Sequence, residues 1–88
     1  MVLLGSIVFS KKHFRIIKEG DGFIVYNMNK PFKNGHTHIS NYNTAKYILN
    51  LAYHSSIPQK RTSDYLLQSI IRISTDSGYI KQIKKLLR

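Results

Sequence analysis

A glycine-rich turn between two β-type segments restricts the fold of this chain more than any other feature. Residues 19–22 (EGDG) separate residues 14–18 (FRIIK) from residues 23–28 (FIVYNM), and both flanking segments are rich in β-branched and aromatic side chains. Glycine and aspartate accept the positive backbone φ angles of tight hairpin turns. The pattern therefore predicts an antiparallel β-hairpin in the first third of the chain.

Alternation along the two strands divides this hairpin into two faces, and each face carries some apolar side chains. In the first strand, Phe14 and Ile16 share one face, and the other face carries His13, Arg15 and Ile17. In the second strand, the corresponding sets are Phe23, Val25 and Asn27 against Ile24, Tyr26 and Met28. We therefore expect helices to cover one face, while the other face is partly exposed or packed on a neighbour.

Two further segments have strand character. Residues 1–9 (MVLLGSIVF) predict a first strand, because they fall well short of the roughly 20 apolar residues that span a bilayer. No basic segment precedes them, as it would in a signal peptide. Residues 36–40 (HTHIS) form a candidate short strand after the loop at residues 29–35, which holds an Asn-Gly pair. With neither a membrane span nor a signal peptide expected, the predicted location is the cytoplasm.

The remainder of the chain predicts three helices. Asn43 or Thr44 can cap the first helix, and Pro58 ends it, because the residue before a proline leaves the helical region. The second helix starts near Thr62 or Ser63, and the third follows residues 76–78. The side chains expected to face inward are Ala45, Ile48, Leu49, Ala52, Leu66, Leu67, Ile70, Ile71, Ile73, Tyr79 or Ile80, Ile83, Leu86 and Leu87. The predicted fold is α+β, with an N-terminal antiparallel β-hairpin or three-stranded meander followed by three short helices packed on one face.

Length and composition favour one small basic domain, residues 1–88, without enzymatic activity. The 88 residues are too few for two domains, and a hydrophobic fraction of 42% is too high for a disordered chain. The absence of cysteine excludes a disulfide framework, a thiolate zinc site and a cysteine nucleophile. Four carboxylates leave little material for acid–base pairs, and no phosphate-binding glycine loop occurs. We therefore expect no catalytic residues and no cofactor; the thin core is compatible with a homodimer.

A pair of histidines is the one pattern that suggests a metal. His36 and His38 are two residues apart on a predicted strand, so their side chains point to the same side and could share an ion. His13 and His54 are the other histidines that could join them. The simpler interpretation, which we adopt, is a solvent-facing pair that adds positive charge at mildly acidic pH. No metal is expected.

Charge is the strongest functional signal in the sequence. The chain has 14 Lys and Arg against 4 Asp and Glu, a net charge of +10, and such a chain is attracted to phosphate polymers. Lysine also keeps small domains soluble, and cations in the last turn of a helix complement its dipole. The residues predicted to bind nucleic acid are Lys11, Lys12, Arg15, Lys18, Tyr26, Lys30, Lys33, Lys81, Lys84, Lys85 and Arg88.

Two functions remain open at this point. The first is a non-enzymatic module that contacts nucleic acid, DNA or RNA, mostly through phosphates; the second is a regulatory or inhibitory module that docks on an acidic protein surface. No membrane partner is expected.

Tyr26 is the best candidate for stacking on a base, because Arg15 on the neighbouring strand can flank it. A helix-turn-helix formed by the last two helices, whose connection looks long for a 3–4-residue turn, and a sheet-based interface with Arg15, Lys18 and Tyr26 are comparable alternatives.

Overall fold

The computed structural model describes residues 5–87 and shows a four-stranded antiparallel sheet followed by three α-helices. The strands are β1 (Ser6–Lys11), β2 (Phe14–Glu19), β3 (Gly22–Asn27) and β4 (His36–Ile39). The helices are α1 (Tyr42–His54), α2 (Asp64–Ile73) and α3 (Ser77–Lys84). The predicted α+β class, with strands first and helices after, is therefore confirmed.

The predicted hairpin lies at the centre of the sheet. Glu19 pairs with Gly22, so Gly20 and Asp21 form a two-residue turn, and Gly20 has the positive φ of 58° that glycine favours. The strands lie in the order β1-β2-β3-β4, so the sheet has one strand more than a three-stranded meander. The added strand is β1, which extends the hairpin at one side while β4 extends it at the other. Residues 1–4 of the predicted first strand lie outside the described residues.

One face of the sheet packs against the helices, as strand alternation predicts. The cross-strand pairs Phe14↔Asn27 and Ile16↔Val25 lie on this face. Together with side chains from all three helices they form one hydrophobic core. Its buried members are Phe14, Ile16, Val25, Ile39, Ala45, Ile48, Leu49, Ala52, Leu67, Ile70, Ile73, Tyr79 and Ile83. None of the helices in residues 5–87 has the length and apolar character needed to cross a membrane.

The other face of the sheet is called the outer face below. It carries Arg15, Ile17, Ile24, Tyr26, His36 and His38, which alternate with the core-facing residues in the strand register. Ile17 and Ile24 are buried even here. The backbone of Gly5 closes on Ile17, since a Cβ at Gly5 would lie 2.4 Å from Ile17 Cγ2. The apolar centre of the outer face is thus covered, and its polar and aromatic side chains are displayed around that centre.

The helix boundaries follow their capping side chains. Ser63 caps α2, where we expected that helix to begin. Asp76 caps α3, which begins at Ser77 rather than after residue 78 as we expected. The prediction for α1 is wrong by two to three residues, because Asn41 is the cap and accepts a hydrogen bond from Thr44 N. Tyr42 therefore falls inside the first turn, where its ring packs 5.5 Å from that of Phe23. Sequence spacing alone does not show this contact.

The two ends of α3 differ from what we expected. Leu86 was expected to face inward but is 42% exposed, because the helix ends at Lys84 and the helical periodicity stops there. The link between α2 and α3 is three residues, 74–76, which is shorter than the sequence suggested. The helix-turn-helix spacing is therefore present, on an α3 of eight residues.

The free edge of β4 is closed by side chains of α2. Arg72 Nε donates to His36 O at 2.8 Å, and the Tyr65 hydroxyl donates to His38 O. Alternate carbonyls of an edge strand point away from the sheet and would otherwise be open to another strand. The hydrogen bonds from Arg72 and Tyr65 occupy these acceptors and fix α2 beside β4.

A buried hydroxyl pair gives a first test of the packing between α2 and β4. Thr37 and Ser69 are both buried, and their hydroxyl oxygens share a hydrogen bond of 2.7 Å. Thr37→Val leaves the Ser69 hydroxyl unpaired and is expected to cost about 1–2 kcal/mol of unfolding free energy. The double variant Thr37→Val/Ser69→Ala removes both polar groups and should recover part of that loss in urea unfolding. Equal losses in the single and double variants would contradict the hydrogen bond.

Candidate nucleic-acid interface

The meander brings two basic connections to the same end of the sheet. The β1–β2 turn and the β3–β4 loop meet there, and Met28 N donates to His13 O at 2.7 Å. Lys12 lies in the turn and Lys33 in the loop, and both are exposed. Arg15, the second residue of β2, lies at the same end. We call these three cations at one end of the sheet, Lys12, Arg15 and Lys33, the basic end.

The opposite end of the outer face is acidic. Glu19 and Asp21 lie in and beside the β2–β3 turn, and both are exposed. Arg15 and Glu19 are four residues apart on β2, which corresponds to about 13 Å along the strand. A polyanion is therefore attracted to one end of the outer face and repelled at the other.

A row of side chains crosses all four strands at the basic end. The register pairs Ser10 with Arg15, Arg15 with Tyr26, and Tyr26 with His36. Directly paired residues have Cβ atoms about 5 Å apart on the same face of a sheet. Arg15 therefore flanks Tyr26, as the sequence predicted, and His36 flanks it on the other side.

Four aromatic side chains at this end of the outer face contact one another in a chain. Tyr26 lies 5.4 Å from Phe32 between ring centroids, and Phe32 stacks on His36 at 4.3 Å with an interplanar angle of 5°. His36 in turn lies 5.0 Å from His38. His36 Nδ1 donates to Phe32 O at 2.6 Å, which fixes the stacked pair. We call Tyr26, Phe32, His36 and His38 the aromatic row.

Arg15 is held in place by backbone carbonyl groups. Its Nη1 atom donates to Lys12 O and, at 2.8 Å, to Phe14 O. The hydrogen bonds of Arg15 within residues 5–87 use this nitrogen, so the Nε and Nη2 donors can serve a ligand. A guanidinium fixed in this way loses little conformational freedom when it binds a phosphate.

Two lysines predicted to bind nucleic acid have structural contacts elsewhere. Lys11 Nζ donates to Asn50 Oδ1 of α1 at 3.1 Å and lies 4.6 Å from the centre of the Tyr53 ring. It is therefore directed to the helix side of the sheet. Lys18 Nζ donates to Gly20 O at 3.0 Å, at the acidic end. The fold does not bring either lysine to the basic end.

Lys30 joins the β3–β4 loop to the end of α2. Its Nζ donates to Arg72 O at 2.8 Å and to Ser74 O at 3.1 Å. Burial lowers the pKa of Lys30, and the nearby Arg72 guanidinium lowers it further. Arg72 completes the connection, because its Nη2 donates to Lys33 O at 2.9 Å. The Lys30 ammonium group thus positions the loop that carries Phe32.

The predicted basic residues of the last helix form a separate group. Lys81, Lys84 and Lys85 are exposed. Helix α3 packs against α2, and no strand within residues 5–87 contacts it. Arg88 lies outside the described residues. We call Lys81, Lys84 and Lys85 the helical basic group, since the fold does not join it to the basic end.

The two histidines of β4 point to the same side, as predicted, but the described chain offers no further ligands near them. No group of three or more histidine and carboxylate side chains within residues 5–87 is arranged to hold a metal ion. His13 contacts Phe14, with ring centroids 4.5 Å apart, and His54 contacts Tyr53 at 4.8 Å. The role of His36 and His38 is therefore considered with the aromatic row.

Sequence reasoning missed three residues of this surface. Phe32 lies in an irregular loop, where no periodicity reports the direction of a side chain. Arg72 and Tyr65 belong to α2, and their reach to the β4 edge depends on how the helix packs. The Pro31-Phe32 pair in a basic loop was the only available signal. No family model, curated protein or solved structure matches this chain, so its function is inferred from this geometry.

Proposed function

We propose that this chain is a non-enzymatic module that binds single-stranded nucleic acid on the outer face of its sheet. Phosphates contact the basic end, and bases stack on the aromatic row. The observation that carries the proposal is the row Arg15–Tyr26–His36, which places a cation and two rings side by side, with Phe32 stacked on His36.

Two physical effects support binding at this surface. Stacking of a base on an aromatic side chain contributes about 1–3 kcal/mol and tolerates any base sequence. Each phosphate neutralised by Lys or Arg releases counterions, which makes the affinity depend on salt. The same cations attract carboxylates, so an acidic protein surface is the competing partner. Stacking by Tyr26 and dependence on a polynucleotide distinguish the two partners.

The test is a titration of labelled single-stranded DNA, single-stranded RNA and duplex, each of mixed sequence, over a series of salt concentrations. With three cations at the interface, the slope of log K against log salt for single strands is expected to be about −2. Tyr26→Val keeps a strand-forming residue and should weaken binding about tenfold, whereas Tyr26→Phe should retain it. Undetectable binding of every nucleic acid at 50 mM salt would overturn the proposal.

A charge-matched pair of variants locates the footprint. Replacing Lys12, Arg15 and Lys33 with glutamine removes three charges from the basic end. Replacing Lys81, Lys84 and Lys85 with glutamine removes three charges from the helical basic group. The first variant should reduce the salt slope to near zero, and the second should leave most of it. The reverse result would assign binding to α3.

A further inference from the structure

The outer face continues from the aromatic row into a groove. The groove has a volume of about 480 Å³ and lies between the β2–β3 turn, β3 and β4. Ile24, His38 and Tyr65 line it together with Glu19 and Asp21. This volume is within the range of roughly 300–1,000 Å³ that small-ligand pockets occupy. His38 belongs to both the aromatic row and the groove. A nucleic-acid strand bound along the aromatic row therefore passes directly into the groove.

The walls of the groove suit a planar, partly apolar group. Ile24 is buried at the base of the groove, and the ring of Tyr65, which is 59% exposed, supplies apolar surface. The hydrogen bond from the Tyr65 hydroxyl to the backbone oxygen of His38 holds that exposed ring at the groove, which both residues line. An aromatic ring fixed at its far end is preorganised for stacking, because binding does not have to immobilise it.

The carboxylates of Glu19 and Asp21 determine which hydrogen-bonding groups a planar ligand needs at its edge. Ionised Glu19 and Asp21 accept hydrogen bonds and cannot donate them. They repel phosphate, so the backbone of a bound strand stays toward the basic end while a base enters the groove. Two of the four carboxylates in a chain of net charge +10 line this one groove. Their chemical complement is an N–H donor.

We propose that the groove is a base-selecting subsite that prefers a base with an exocyclic amino group over uracil or thymine. The N4 amino group of cytosine donates to a carboxylate, whereas uracil and thymine present a carbonyl oxygen at the same position. The carboxylates repel that oxygen, and the one donor of uracil and thymine, N3–H, is flanked by carbonyl oxygens on both sides, whereas the amino group of cytosine offers two N–H donors at the edge of the ring. Because this assignment depends on the function proposed above, its test separates the two.

The test compares oligo-dC with oligo-dT of equal length at the same salt concentration and neutral pH. Both have the same sugar-phosphate backbone and differ only in their pyrimidine bases, so the ratio of their affinities reports contacts to the base. Tighter binding of oligo-dC by about tenfold is expected, since one good base contact discriminates by 1–3 kcal/mol. Equal affinities, or a preference for oligo-dT, would overturn the subsite and leave the proposed function standing. Binding of neither oligonucleotide would overturn the proposed function itself.

Isosteric variants assign the preference to the groove. Glu19→Gln/Asp21→Asn should abolish the ratio between oligo-dC and oligo-dT, because an amide also donates to a carbonyl oxygen. The control Asp64→Asn/Asp76→Asn removes the same two charges at the starts of α2 and α3. It should raise both affinities and keep the ratio. A ratio that persists in the first variant would overturn the groove as its source.

Discussion

Replacing Asn27 with alanine is expected to lower the free energy of unfolding by about 2–4 kcal/mol. Asn27 is fully buried on the helix side of β3. Its Nδ2 donates to Ile73 O at 2.9 Å, and its Oδ1 accepts from Asn29 N at 2.8 Å. Alanine leaves the Ile73 carbonyl and the Asn29 amide without these partners, and it leaves a small cavity. Urea unfolding followed by circular dichroism measures the loss.

The matched control is Asn34→Ala, at an exposed position of the same loop region. It should change the free energy of unfolding by no more than about 0.5 kcal/mol. If the Asn27 and Asn34 variants were equally stable, Asn27 would not connect β3 to the end of α2. A large loss at Asn27 would also show that the loop carrying Phe32 depends on the helix layer.

A second large effect is expected at alkaline pH. Tyr79 is 4% exposed, and its hydroxyl lies 2.7 Å from Ser56 O and 3.2 Å from Leu51 O. Burial raises the pKa of Tyr79 to about 12, and neighbouring Tyr47 adds to the rise. In the unfolded chain the phenol loses its proton near pH 10, so the folded state binds more protons between these two values. Stability from Tyr79 is complete below pH 10 and decreases as pH rises toward 12.

Comparison with Tyr79→Phe isolates this contribution. At pH 8 the variant should be less stable by about 1 kcal/mol, because a buried hydrogen bond is lost. Between pH 8 and 11.5 the native chain should lose about 2 kcal/mol relative to the variant, since a full pH unit between the two pKa values corresponds to 1.36 kcal/mol. Contributions that do not involve Tyr79 are common to both proteins and cancel in the difference. Parallel stability curves would contradict the raised pKa.

Local patterns in the sequence predicted the features that depend on neighbouring residues. Two glycines around Asp21 determine the central turn, and alternation determines that Arg15 and Tyr26 share the outer face. Serine at position 63 caps α2 because its side chain reaches an amide three residues ahead. Each of these predictions needs contacts within a few residues, which a sequence displays directly.

Features that depend on distant contacts were not predictable in the same way. Lys11 and Lys30 look like surface cations in the sequence, yet each donates to atoms about 40 residues away. Their contribution to a basic surface is therefore smaller than the net charge of +10 suggests. Phe32 joins the aromatic row only because its loop is held against α2. Long-range packing, which periodicity does not report, decides all three.

The closed edge of β4 limits how copies of this chain can assemble. Strand addition between copies requires two unpaired edges, and the acceptors on β4 are already bonded to Arg72 and Tyr65. Among the strands of residues 5–87, the edge left without such side-chain bonds is that of β1. If copies of this chain pair edge to edge, we expect β1 to meet a second β1 in a two-fold symmetric pair, which uses that edge on both subunits.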